Sequence, residues 1–157
     1  MRKFILTGLF SLLPSVWVYA QSDSDIAAVM QPLDDYMAAV NRIDIEGVVA
    51  HYHFPHFRVV GAELVIWNTP LEAMPMLGMP KDQQLAAMRA GIGERWVRTE
   101  WGDRRIIAFK DDKAHVDTEF IRYAAGDEVL ERIRSLYVVT RENGSWKIKG
   151  RSSFAPR

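Results

Sequence analysis

The chain has 157 residues, twenty basic and twenty acidic, and no cysteine. The missing cysteine excludes a disulfide framework, a thiol nucleophile, a cysteine-based zinc site and lipid attachment through a cysteine. A hydrophobic share of 48% and an aromatic share of 11% fit a packed domain, not a disordered chain, and the balanced charge gives no basic stripe for nucleic acid.

The first twenty residues have the three parts of a cleavable secretory signal. Arg2 and Lys3 supply the positive start, Phe4 to Leu13 the apolar run, and Val18-Tyr19-Ala20 the cut site. The run is shorter than the roughly 20 residues a spanning helix needs, so no stable membrane anchor is expected after cleavage. Residues 21–157 are then one exported domain of 137 residues, periplasmic or extracellular, with a formal charge of −2.

Ser24 or Asp25 can cap a first helix. Ile26, Val29, Met30, Leu33, Met37 and Val40 follow at helical spacing, with Tyr36 beside them. Pro32 predicts either a kink or a restart. Asp44 can cap a short second helix running through Tyr52, which Pro55 cannot continue. Phe57 to Val60 and Leu64 to Trp67 read as two strands around Gly61. A Met- and Pro-rich stretch leads to a third helix from Lys81 to about Ala90, ended by Gly91 and Gly93. Four β-rich runs follow: Arg104–Lys110, Ala114–Tyr123, Glu128–Arg141 and Ser145–Phe154. The turn pair Asn143-Gly144 is a strong hairpin signal. Helices first and a long meander afterwards predict an α+β fold.

Hairpin register predicts which side chains share a face. From the turn at Asn143-Gly144, Val139 faces Ile148, Tyr137 faces Gly150 and Ser135 faces Ser152. From the loop at 124–127, Thr118 faces Ile133 and Phe120 faces Glu131. One face then carries Ile107, Phe109, Val116, Phe120, Ile133, Tyr137, Val139, Trp146 and Ile148, with Asp103, Arg105, Thr118, Arg122, Glu131, Ser135 and Ser152 among them. Charges on a core face must pair or line a wet cavity, so this face reads as a half-polar cup. A single bulge would shift parity and send those charges to solvent. The opposite face carries Asp117, Glu119, Arg132, Arg134, Lys147, Lys149 and Arg151. There Glu119–Arg132 and Asp117–Arg134 make cross-strand pairs, and the mixed surface suits a solvated face or a homodimer contact.

His51, His53 and His56 cluster around Pro55 without a recognised metal-ligand spacing, and no metal site is expected. One of His53 and His56 at the cup's mouth can act as an acid or base; the alternative is a histidine hydrogen-bonded to backbone at a corner. Tyr36, Trp67, Trp96 and Trp101 are candidates for an aromatic lining or for plain core. Met74, Met76 and Met79 suit an adaptable lid.

Opening helices with Asp34-Asp35-Tyr36 and Val40-Asn41-Arg42-Ile43-Asp44, then a meander ending Tyr137-Val138-Val139-Thr140-Arg141, Asn143-Gly144 and Trp146-Lys147-Ile148, resemble the nuclear-transport-factor-2-like superfamily, also called SnoaL-like. The resemblance implies a cone: a strongly curved antiparallel sheet wrapped around N-terminal helices, with an apolar pocket. Its members include isomerases, dehydratases, epoxide hydrolases and cyclases as well as proteins without known catalysis, so fold alone does not give function. The expected function is binding of a small apolar or amphipathic molecule, without a cofactor. The pocket would be lined by Tyr36, Trp67, Trp101, Arg105, Thr118, Phe120, Arg122, Ser135 and Tyr137. An alternative is cofactor-independent acid/base catalysis, with Asp103 or Glu131 as base, His53 or His56 as partner, and Arg105 and Arg122 holding an anion. A third reading is a protein-interaction module using the outer sheet face.

Overall fold

The computed structural model describes residues 22–155; the expected signal at 1–20 lies outside them. Helix α1 (Asp23–Asn41) is capped by Ser22, whose side chain accepts from the Asp25 N–H at 3.1 Å. It carries Pro32 in its interior as one continuous helix, neither restarted nor ended there. Val29, Leu33, Tyr36, Met37 and Ala39 form its buried stripe, while Ile26 is left exposed. Helix α2 (Ile45–Ala50) begins as expected at Asp44, which accepts from the Gly47 N–H at 3.0 Å. It stops before Tyr52, and the histidine-rich segment belongs to strand β1 (Tyr52–Val60) instead. Proline has no N–H for a ladder, and β1 accommodates Pro55 inside a register shift between Tyr52 and Phe57.

Strand β2 (Glu63–Trp67), helix α3 (Pro70–Ala73) and helix α4 (Lys81–Ile92) follow. The meander is β3 (Arg98–Lys110), β4 (Lys113–Tyr123), β5 (Val129–Glu142) and β6 (Ser145–Ser153). The sheet order is β2-β1-β6-β5-β4-β3, open at both edges. Every neighbouring pair is antiparallel except β1 with β6, which is parallel. The fold is therefore α+β, with N-terminal helices on a curved, unclosed sheet. The main core lies between α1 and the concave face: Val29, Leu33, Val48, Ala114, Val116, Tyr137, Val139 and Ile148.

Bulges decide which side chains point inward. Between β4 and β5 the expected register is off by two residues: Thr118 pairs with Ser135, Phe120 with Ile133 and Arg122 with Glu131. A two-residue slip keeps every side chain on its face, so those face assignments stand. On the convex face the acids accordingly reach their arginines diagonally, Arg132 to Glu119 at 2.9 Å and Arg134 to Asp117 at 2.5 Å. Elsewhere the slip is odd and parity flips. In β3, shifts between Trp101 and Arg104 and between Ile106 and Ala108 put Trp101, Arg104 and Ile106 opposite the inward Phe120, Thr118 and Val116. Ile107, expected in the core, is 52% exposed. In β6, the shift beside Val138 and Val139 pairs Tyr137 with Arg151 and Ser135 with Ser153. Arg151, expected outside, thus points in, and Ser152, expected inside, points out. Phe154 follows it into solvent.

Gly150 sits at the β1–β6 contact, in register with Phe57. A methyl group there would collide with the Phe57 ring. Gly150→Ala should cost about 1–3 kcal/mol, the usual range for overpacking. In a Phe57→Ala background the same change should be neutral or better, because alanine suits a strand interior more than glycine does. Urea unfolding of the four proteins checks this; an equal penalty in both backgrounds would exclude the ring contact as its cause.

Candidate functional site

A cavity of about 250 Å³ lies between the helices and the concave face. Helix α1 supplies Tyr36, Met37 and Val40. Strand β1 supplies Tyr52, His56 and Arg58, the alternate residues on one side of an extended segment. Trp67 comes from β2, Phe120 and Arg122 from β4, Tyr137 from β5 and Arg151 from β6. Met74, Met76, Met88 and Ile92 close one side from the α3–α4 region. Met79 does not join them and is exposed.

The aromatic wall is continuous. Tyr36 and Tyr52 have ring centres 5.8 Å apart, Tyr52 stacks on His56 at 3.9 Å, and His56 stacks on Trp67 at 5.8 Å. Trp101 meets Tyr137 edge-on at 5.6 Å. Trp101, expected in the lining, packs against the core instead and is not a lining residue, and its indole N–H is buried without a partner among the described residues.

The polar groups are mostly basic. Arg122 donates to Glu131 at 2.9 Å. Arg151 donates to the Tyr137 hydroxyl at 3.0 Å. Arg58 is the register neighbour of Arg151 across β1 and β6. Burial, and then the charge of Arg151, lower the Arg58 pKa; burial lowers that of Arg122 too, against the pull of Glu131. Burial pushes Tyr137 up to about 12, despite Arg151, and raises Tyr52 well above the ordinary phenol value. Near neutral pH both phenols are therefore uncharged and cannot neutralise a guanidinium.

His56 is 2% exposed, and its Nδ1–H donates to the Ile148 carbonyl at 3.1 Å. A carbonyl accepts only, so Nε2 is the lone-pair nitrogen of the neutral ring. Burial lowers its pKa to about 4, with Arg151, Lys149 and Arg58 adding to the effect. His56 is therefore bonded to backbone within strand β1, not at a corner, and is also a wall of the cavity.

Of the candidate site residues, Tyr36, Trp67, Phe120, Arg122, Tyr137 and His56 line the cavity. Glu131 stands behind Arg122 as its ion-pair partner. Thr118 and Ser135 face inward but are consumed in the sheet: Thr118 donates to the Ser135 carbonyl at 3.0 Å, and Ser135 bonds Ser153 Oγ at 3.0 Å. Asp103 and Arg105, expected in the cup, do not line the cavity. The β3 bulges turn them out to a separate charged depression beside Asp117 and Arg134, where the Arg105 side chain is 76% exposed and 3.6 Å from Asp117. Arg104 takes the inward position instead, bonded to Asp34 of α1 at 2.6 Å. His53 is also a correction: it lies away from the cavity, with Nε2 3.1 Å from the Ser145 carbonyl and Nδ1 3.9 Å from Glu142. The expected carboxylate–histidine pair is thus not assembled. Asp103 and His53 are elsewhere, and Glu131 is held by Arg122. Among the described residues no group of three or more His, Asp or Glu side chains could hold a metal ion.

Arg58, Arg151 and Tyr52 are among the lining residues that sequence reasoning missed. Arg58 lay on a strand whose inward side was not assigned, and Arg151 was placed on the wrong face by one bulge.

The backbone is similar to several solved structures. One is a Nostoc punctiforme protein of unknown function with a cystatin-like fold, at 14% identity and a TM-score of 0.63, covering 86% of this chain and 93% of that one. Another is an NTF2-like protein of unknown function from Pseudomonas putida, at 16% and 0.62, covering 87% and 90%. A third is a ketosteroid isomerase-like protein from Erwinia carotovora atroseptica, at 17% and 0.55, covering 86% and 100%. At such identities the likeness concerns the fold alone. No curated protein matches the sequence. Residues 24–153 match the family described as NTF2-like protein (DUF6841), nearly the whole of the described domain, and the chain belongs to that family.

Proposed function

We propose that this chain is an exported binding protein whose cavity takes a small amphipathic molecule. One observation carries the reading: a domain of ordinary size keeps a space of about 250 Å³ walled by tyrosine, tryptophan, phenylalanine and methionine. Protein interiors otherwise pack with few voids larger than a water molecule. Apolar walls with a few convergent polar groups are what a ligand site requires. Binding is favoured over acid/base catalysis because, among the described residues, no free carboxylate lines the cavity, and the neutral His56, with a pKa of about 4, is a weak base. Export rests on the tripartite pattern of residues 1–20.

The test is native mass spectrometry of the protein purified from its own exported fraction. A reproducible adduct, released on denaturation, is expected. A protein found only in the cytoplasm would remove the export half of the reading, and one that is empty wherever it is purified would remove the binding half.

A further inference from the structure

We infer that the molecule held in the cavity is an organic acid: a carboxylate seated between Arg58 and Arg151, on a small apolar body lying against the aromatic wall. This rests on the binding reading above and specifies its ligand.

Three guanidiniums line the cavity, and one carboxylate, Glu131, answers them through Arg122. Among the described residues neither Arg58 nor Arg151 has an acidic partner. Arg151 is bonded to a neutral phenol, and the buried Nε of Arg58 has no hydrogen-bond partner. The two are also neighbours in the β1–β6 register, where like charges oppose each other. A fold that needed only packing at these positions would be better served by apolar residues.

The backbone points the same way. Register shifts in the β1–β6 and β5–β6 ladders accompany the turn of both guanidiniums inward, and bulges that re-aim side chains gather beside functional sites. An anion between them would supply the missing acceptors and relieve the repulsion in one step. The guanidinium fork matches the geometry of a carboxylate or a phosphate oxygen pair.

The walls select between these two. A cavity of roughly 150 Å³ lined by apolar groups takes up benzene, so about 250 Å³ admits one ring with a short acidic arm. Inorganic phosphate alone would leave Tyr36, Tyr52, Trp67 and Phe120 facing empty space. An acid with an aromatic or short aliphatic body fills both ends.

The experiment compares phenylacetate, phenylacetamide and inorganic phosphate by isothermal calorimetry on the ligand-stripped protein. Amide and acid share their shape and differ in charge. Phenylacetate should bind at least about 10-fold more tightly than the amide, the size of one charge-assisted hydrogen bond. Arg58→Met should bring the two within about threefold of each other. It should also leave the melting temperature of the empty protein unchanged or higher, since the guanidinium has no acceptor there. A merely structural arginine would instead lower it. Equal binding of acid and amide to the unsubstituted protein overturns the anionic assignment while leaving the cavity a ligand site. Phosphate binding more tightly than phenylacetate overturns the organic-acid assignment. Binding of none of the three overturns the inference, and the binding reading fails with it only if the natively purified protein is also empty. The acid–amide comparison needs no variant, so a misfolded Arg58→Met protein does not shield the inference.

Discussion

Trp96→Ala should lower stability by about 3–5 kcal/mol, the range for truncating a large buried aromatic, and the melting temperature by roughly 10–20 °C for a domain of this size. Trp96 is 1% exposed and packs with Ile45 and Met88, with Ile92 and Met76 at the margin. Its indole N–H donates to Thr99 Oγ1 at 2.9 Å. Thr99 is in turn clipped to the end of α1, through Asn41 Oδ1 on its N–H and Asn41 Nδ2 on its carbonyl, both at 2.8 Å. Truncation therefore removes packing between α2 and α4 and strips a buried hydroxyl of its donor. Trp96→Phe keeps most of the volume and loses the hydrogen bond, so it should cost about 1–2 kcal/mol.

The effect should also be local. Met88 and Ile92 belong both to this cluster and to the cavity wall. Hydrogen exchange in α4 should accelerate more than in β4 and β5 in the alanine variant, because regions with fewer buried contacts open first. A loss below about 1 kcal/mol, or uniform acceleration across the sheet, would show that α4 does not depend on Trp96.

Much of this arrangement was readable in the sequence, and most of what was not has one physical cause. Periodicity located α1, α2 and α4 because each buries a stripe at 3.6-residue spacing. Asp44 announced α2 because an aspartate before an apolar run satisfies an otherwise unbonded N–H. The Asn143-Gly144 turn gave the pairing of Val139 with Ile148, which holds. Faces then followed wherever the ladder was unbroken or slipped by an even count, as for Phe120, Arg122 and Glu131.

A bulge of one residue carries no composition signal, yet it reverses every side chain beyond it. Asp103 and Arg105 were lost from the cavity in that way, and Arg151 was gained. Arg58 has a different cause: it lies in the predicted strand Phe57–Val60, but no turn ties the faces of that strand to the meander, because its partner β6 is parallel and far along the chain. The aromatic wall was the most legible part of the site, since Tyr36, Trp67, Phe120 and Tyr137 are large enough to be inside on either reading. The cationic end was the least legible, because arginine is ordinarily a surface residue.

Acidification from pH 7 to pH 4 should cost the native protein about 3 kcal/mol through His56 alone. Its pKa is about 4 in the folded protein and 6.5 when unperturbed, and one unit corresponds to about 1.36 kcal/mol. The sign follows from proton counting. Between pH 6.5 and about 4 the unfolded chain binds a proton that the buried ring refuses, so stability falls as pH falls. The contribution is fully present above pH 6.5 and is gone by about pH 4. Burial also lowers the pKa of His51, which therefore acts in the same direction.

His56→Asn isolates the one residue. The asparagine Nδ2 can replace Nδ1–H as donor to the Ile148 carbonyl, but it does not titrate and cannot stack between Tyr52 and Trp67. The variant should be about 1–3 kcal/mol less stable at pH 7. It should then lose about 3 kcal/mol less than the native protein on the way to pH 4, so that the two curves converge or cross. His51 is present in both and cancels in the difference. Urea unfolding at the two pH values, with unchanged m-values, measures this directly. Parallel stability profiles would mean that the ring is hydrated and protonated in the folded state, and that the cavity beside Arg58 and Arg151 is wetter than its walls imply.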